Sequence, residues 1–386
     1  MQSNALTHVQ RQRAVAGFDV LGKNDLLDRL TSRSIPNQRL VNAFNIDNSF
    51  TTVDLDVHKR FITSTRDVIG TMNPQRWTAF FAVSEAAVRQ AHGILSASHD
   101  TLPLAITVQY AVFSTMIYQF FGVILSDTDF DDIVESTSAI NNLWQHSKNI
   151  TSAGQELREE QERLQASLRR LLPDCFPCSS EKHPLNIIIP AYETMWRVIL
   201  LTFVSAGFRG VDLRTTEQFH EILQNIPAYS GSQPVVEITN TARNFAKEGL
   251  RLYPPTRRIH RAIPNAETAG GLSYVKADIE WCHRNKRIWG ADAEQFRPSR
   301  FQNCTANMDK AYMPFGIGRH RCPTATRFSY HVIVIIVVAL AKRLGTKETG
   351  SEVIFNDPRL DRNPKRILPS GRMDMDSWVL KVRETE

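Results

Sequence analysis

The run Phe315-Gly316-Ile317-Gly318-Arg319-His320-Arg321-Cys322-Pro323 combines the residue types of a reactive loop. Its two glycines supply a tight, sterically open turn. Three basic residues precede Cys322, and the apolar stretch 325–341 follows it as a helix. Positive charge and a helix N-terminus both lower a thiol pKa from about 8.5. A thiolate stabilised in this way can ligate a metal or act as a nucleophile, and the loop alone does not choose between them. Upstream, Glu248 and Arg251 are spaced i,i+3 and fall on one helix face, where they can pair. Cys175-Phe-Pro-Cys178 has no second cysteine pair and contains Pro, so it reads as loop rather than as a metal or redox site.

The elements that must position these groups are mostly helical. Apolar periodicity predicts helices at 57–70, 75–95, 102–124, 156–172, 185–203 and 241–252, the last halted by Pro254-Pro255. Alternating runs at Leu272–Ala277 and Trp378–Val382 read as short strands. Residues 1–57 are polar and weakly patterned. No charge occurs from Thr101 to Ser126, but Gln109, Tyr110, Ser114, Tyr118 and Gln119 lie mid-stretch, which predicts a buried core helix rather than a membrane span. The run 332–341 is half the length needed to span and also reads as core.

Composition sets the outer limits. The chain has 386 residues, with 46 Lys+Arg against 40 Asp+Glu and a formal charge of +6. That excess over so large a surface is too small to argue for nucleic acid. The 22% charged residues and the background Gly and Pro counts, 18 each, exclude a disordered polyelectrolyte and a collagen-like chain. Five cysteines and an N-terminus without an apolar signal segment argue for a reducing, cytoplasmic compartment.

The loop resembles the haem-binding loop of the cytochrome P450 (haem-thiolate monooxygenase) family, F-G-x-G-x-H/R-x-C-x-G, with Phe315, Gly316, Gly318, His320 and Cys322 matching. Thr324 stands where the family usually has Gly. Glu248-Gly249-Leu250-Arg251 resembles E-x-x-R, and Phe296-Arg297-Pro298-Ser299-Arg300-Phe301 resembles F-x-P-x-R-F/W, with His283-Arg284 and Trp289-Gly290 on the approach to it. Pro190-Ala191-Tyr192-Glu193-Thr194-Met195 is similar to A/G-G-x-D/E-T-T, although Pro190 and Met195 depart from it and Pro190 predicts a kink. The motif spellings most resemble fungal members.

The resemblance implies a mainly α fold with a minor β region, one large domain over 1–386 with small sheets around a buried haem. Residues 185–382 are the best-matched core, and 1–57 form an atypically short front without a membrane anchor. It implies haem b held by Cys322 as axial iron ligand, with His320 and Arg261 on the propionates, Phe315 and Gly316 in the loop, and His58 at the helix that meets the propionates. Glu193 and Thr194 would be the catalytic acid–alcohol pair that relays protons, and Glu248, Arg251 and Arg300 a structural charge cluster. The activity implied is hydroxylation of a small, mostly apolar secondary metabolite with oxygen. Desaturation, cyclisation, dehydration, isomerisation or non-catalytic haem binding are the alternatives on the same scaffold. Electrons would come from an external flavin-type reductase docking on Arg284, Lys286, Arg287, Arg319 and Arg321. Localisation would be cytoplasmic, with peripheral contact at the endoplasmic reticulum. In the polar run after Pro255, one extra arginine, Arg258 in the first instance, would bind a substrate carboxylate or the second propionate.

Overall fold

The computed structural model describes residues 25–97, 100–148, 154–210, 212–230, 233–264, 271–325 and 327–383. Its longer helices are α1 (Leu26–Phe44), α2 (Leu55–Gly70), α3 (Pro74–Ser96), α4 (Leu104–Phe121), α5 (Phe130–His146), α6 (Gly154–Leu171), α7 (Trp196–Gly207), α8 (Leu213–Asn225), α9 (Asn240–Leu252) and α10 (Phe328–Leu344). Several begin on side-chain caps written in the sequence. Asp54 accepts from Asp56 N and Val57 N at α2, Asn73 accepts from Arg76 N ahead of Pro74 at α3, and Thr239 accepts from Ala242 N at α9. Gly122, at φ 71°, ends α4 in the left-handed region.

The core is built on helices that are apolar on every side. Phe328 through Ala341 of α10 and all of α7 are buried, as expected of a helix without a polar face. Helix α9 lies against both. A Cβ on Gly249 would fall 1.9 Å from Thr202 Oγ1, so α7 and α9 approach at a distance that only glycine permits. One continuous apolar cluster runs from Leu40 to Leu380.

The sheets are small and antiparallel. Strand β1 (Leu102–Pro103) pairs with β7 (Val379–Lys381), which also pairs with β6 (Glu352–Ile354). Strands β2 (Ala228–Ser230) and β3 (Gln233–Val235) form a hairpin. Strands β4 (Arg258–Pro264) and β5 (Leu272–Asp278) run from Arg258↔Asp278 to Pro264↔Leu272, with α1 packed on β4.

The segments Leu104–Phe121, Leu185–Gly207 and Phe328–Thr349 are long and apolar enough to cross a membrane. Most of each is nevertheless enclosed by protein, as a core role requires. The helix expected over 185–203 is interrupted. A short α turn (Leu185–Ile188) leads into a π-helical segment (Ile189–Glu193), and α7 begins only after Met195. Pro190 is the physical reason: it offers no N–H and its ring needs room against the preceding turn. Helices α1, α5 and α8 were not separated by periodicity; α1 contains Pro36, and α8 buries only Thr215, Phe219 and Ile222.

Candidate active site

Backbone bonds fold the cysteine loop onto itself. Cys322 N donates to Phe315 O (3.0 Å), Gly316 N to Met313 O (3.1 Å) and Ala325 N to Cys322 O (3.1 Å). Gly316 and Gly318 have φ of 67° and 72°, the left-handed conformation that glycine adopts without strain. The Phe315 ring meets Tyr330 of α10 edge to face. Cys322 Sγ, half-buried, lies 3.0 Å from Thr324 Oγ1, which in turn accepts from Ser329 Oγ (2.8 Å).

Behind the loop, Glu248, Arg251 and Arg300 come together. Arg251 binds Glu248 through Nε and Nη2 (2.7 and 2.8 Å), and Arg300 Nε reaches Glu248 Oε1 (2.9 Å). Arg251 Nη1 donates to the carbonyls of His283 (2.6 Å) and Ala293 (2.7 Å), while Arg300 Nη1 donates to Trp289 O (3.0 Å). Glu248 and Arg251 have no solvent exposure. Buried charges with every hydrogen bond satisfied lock the surrounding segments in place. His283 connects the cluster to the loop: Met313 N donates to its Nε2 (2.9 Å), which puts the ring proton on Nδ1, facing Arg251 O (3.1 Å).

The loop opens onto a cavity of about 1060 Å³ whose walls include Cys322, Phe315, Gly316, His320, His58, Arg261 and Thr194. Around the cysteine the walls are electropositive. His320 lies 6.0 Å, ring to ring, from His58, which is fixed by Ser49 Oγ at 2.8 Å from its Nδ1. Arg33 of α1 approaches His320 Nδ1 at 3.5 Å and stacks on Phe50 at 4.3 Å. Burial, followed by Arg33, Arg261 and His58, pushes the His320 pKa down to about 3. His320 Nε2 is a buried polar atom without a hydrogen-bond partner among the described residues. Arg33 was not found from the sequence, because it lies in a helix of weak pattern with no motif around it.

The remaining sequence-predicted residues fall in different places. Thr194 lines the cavity, and its hydroxyl donates to Pro190 O (2.7 Å). Glu193 is buried and does not line the cavity. Its carboxylate pairs with Arg372, and Arg197 Nε stands 4.0 Å away. Arg258 lines the cavity but is paired with Asp278 (3.4 Å) and partly exposed. Arg284 is tied to Glu280 (3.0 Å) and to Leu252 O (3.1 Å), whereas Lys286, Arg287 and Arg321 are exposed. The Arg319 side chain and residues 1–24 lie outside the described residues. Cys175 and Cys178 are free and half-buried.

The donor set at Cys322 tests what can be held there. Among the described residues no three His, Cys, Asp or Glu side chains converge. A metal on this sulfur must therefore bring its other donors with it, as in an organic macrocycle. The unpartnered His320 Nε2 beside two arginines fits the acidic side chains of such a ring.

Comparison with known proteins gives the same class. Residues 240–337 match the cytochrome P450 family profile. Cytochrome P450 714C2 of Oryza sativa subsp. japonica is 34% identical over 104 residues, covering 25% of this chain and 20% of that protein. Vinorine hydroxylase of Rauvolfia serpentina is 35% identical over 107 residues (25% and 22%). A cytochrome P450-like protein of Acanthamoeba polyphaga mimivirus is 26% identical over 170 residues (41% and 34%). These matches span a fifth to a third of the relatives' own lengths. The fold is similar over most of its length to cytochrome P450SP alpha in complex with (R)-ibuprofen (TM-score 0.60, 15% identity, 92% of this chain and 86% of that one). The cytochrome P450DA heme domain compares equally well (0.60, 14%, 95% and 88%). The fold is thus that of cytochrome P450 proteins, and residues 240–337 carry the profile of that family, whose members carry haem b.

Proposed function

We propose that the protein is a haem-thiolate monooxygenase that hydroxylates a small, largely apolar secondary metabolite, the whole chain acting as one domain. The observation that carries this reading is a single thiol, Cys322, at the wall of a cavity of about 1060 Å³ that also carries the cations Arg33 and Arg261 and the imidazoles of His58 and His320. Cys322 would hold the iron through sulfur, and His320, Arg261 and Arg33 would hold the propionates. When bound in this way, haem supplies oxidising power from oxygen and two electrons, with the thiolate donating electron density. Phe315, Met116, Phe120 and Ile189 line the cavity and exclude water from it. Thr194 stores a proton at Oγ1 on Pro190 O and can present it to the cavity by rotating about χ1. Glu193 supports that wall from behind by fixing Arg372. Electrons would come from a separate flavin-type reductase, for which exposed Lys286, Arg287 and Arg321 offer positive charge.

A second reading on the same scaffold is isomerisation or dehydration, which consumes no protons or electrons overall and only moves a proton within the substrate. It is favoured by the bond from Thr194 to Pro190 and by the pairing of Glu193 with Arg372.

The reduced protein under carbon monoxide should show the red-shifted Soret band of a thiolate-ligated haem, and Cys322→Ser should abolish it. A histidine-type band, or normal pigment in the serine variant, would remove the proposal. Product analysis with and without oxygen and reductant separates the two reactions.

A further inference from the structure

A second group of cations lines the same cavity, and it outnumbers the carboxylates beside it. Arg39 of α1, Lys148 just after α5, Arg197 of α7 and Arg372 all line the cavity. Arg39 is six residues beyond Arg33, about 9 Å further along the helix. Two carboxylates stand near these four cations. Glu193 is paired with Arg372 and also stands 4.0 Å from Arg197 Nε. Asp374 attracts Arg197 only at longer range and accepts from Gly371 N (2.5 Å). Among the described residues no other carboxylate is within ion-pair distance of the four.

Burial makes this surplus costly. Arg197 and Arg372 are only 7% and 8% exposed. The two share the single carboxylate of Glu193, so one buried positive charge is left over; a buried charge without a counter-charge costs several kcal/mol, and native proteins pair such groups. The hydrogen bonds of these side chains are also incomplete. Arg197 donates to Ser370 O (3.0 Å) and Pro255 O (3.3 Å), and Arg39 donates to Ser147 Oγ (2.5 Å). Among the described residues, Arg197 Nε and Arg372 Nε have no hydrogen-bond partner. Trp144 takes up part of the charge, with Arg39 4.9 Å and Arg372 4.3 Å from its ring centre. A cation–π contact contributes about 0.5–2 kcal/mol, less than the penalty. Lys148 is held below its ordinary pKa by burial and then by repulsion from Arg372, Arg39 and Arg197. The group is therefore a cluster of four cations sharing one paired carboxylate.

The same wall carries apolar residues, among them Leu40, Ile187, Ile189 and Met195. Planar guanidinium groups in the wall of a chamber that also carries apolar side chains suit a carboxylate borne on a hydrocarbon body.

We propose that Arg39, Lys148, Arg197 and Arg372 form a carboxylate-binding subsite, so that the substrate of this cavity is an apolar monocarboxylic acid held by its anionic end. This deepens the functional reading above and rests on it for the reaction, but not for the binding.

The test is calorimetric titration of the purified full chain with dodecanoate and with methyl dodecanoate, at a concentration where both are monomeric. The acid should bind at least tenfold more tightly than the ester. Lys148→Gln and Arg39→Gln should erase that preference, and Arg39→Lys should retain most of it. Thermal unfolding of each variant checks that it is folded. Equal binding of acid and ester by the unaltered protein overturns the proposal. So does a loss of haem retention in Arg39→Gln or Lys148→Gln with the acid preference unchanged, since the cluster would then serve the cofactor. Titration of Cys322→Ser keeps the two readings distinguishable. An acid preference that survives there without thiolate-ligated haem supports the subsite on its own, and its absence in a folded, haem-loaded wild-type protein counts against the subsite alone.

Discussion

Thr324 occupies the position where the resembling loops carry glycine, and its hydroxyl is 3.0 Å from the Cys322 sulfur. Because Ser329 Oγ donates to Thr324 Oγ1, the threonine proton is left for the sulfur, and a thiolate can only accept. A net hydrogen bond of about 0.5–1.5 kcal/mol corresponds to roughly 20–65 mV for a one-electron couple, at 59 mV per tenfold. Hydrogen bonds to the ligating sulfur raise a metal's potential. Thr324→Gly should therefore lower the haem midpoint potential by about that amount, and Ser329→Ala by less. A spectroelectrochemical titration that finds all three proteins alike would dismiss the bond. At this scale the sequence was most informative where chemistry is local. Phe315 to Cys322 and Glu248 to Arg251 are short patterns whose spacing alone sets their geometry. The partner of Glu193 was not legible, because Arg372 is distant in the chain and belongs to no periodic segment.

Helix α9 meets α7 at Gly249, where any side chain would collide with Thr202. Overpacking of this kind costs about 1–3 kcal/mol. Gly249→Ala should lower the unfolding free energy by that amount, and adding Thr202→Ala should recover most of it because the nearest atom is the threonine hydroxyl. A double variant no more stable than Gly249→Ala would show that the strain lies elsewhere. Periodicity identified α9, α7 and α10 because their burial is written in apolar runs. It could not show that the segment carrying Thr194 winds as a π-turn: Pro190 announces a disturbance, but the form taken depends on the neighbours that fill the widened turn. Helix α1 was missed for a related reason. It is polar overall and contains Pro36, and the apolar residues it buries, Leu30, Leu40, Ala43 and Phe44, are too unevenly spaced to announce a helix.

Across the molecule, His283 couples the charge cluster to the cysteine loop in a way that depends on protonation. Burial, then Arg251, depresses its pKa to about 3, against an ordinary 6.5. The folded state thus binds the proton less readily than the unfolded chain. Stability from this group is complete above pH 6.5 and falls as the pH drops toward 3, by up to about 1.4 kcal/mol per unit. His283→Gln, which can donate to Arg251 O and accept from Met313 N, should flatten the pH dependence of the unfolding free energy over that window. Parallel slopes for the two proteins would refute the assignment. The general architecture was legible because mainly helical cores follow from composition and periodicity, and because the matched motifs fix the order of the later elements. The joining of distant segments was not.

That joining has a bearing on synthesis. Leu102 finds its sheet partner in Leu380, and β6 also waits for β7. While the chain is emerging from the ribosome, the edge of β1 and the start of α4 have nothing to pair with until this late strand is translated. Closure of the sheet therefore waits for the strand at Val379–Lys381 to leave the ribosome, and until then the nascent polypeptide presents an open strand edge for chaperones to shield.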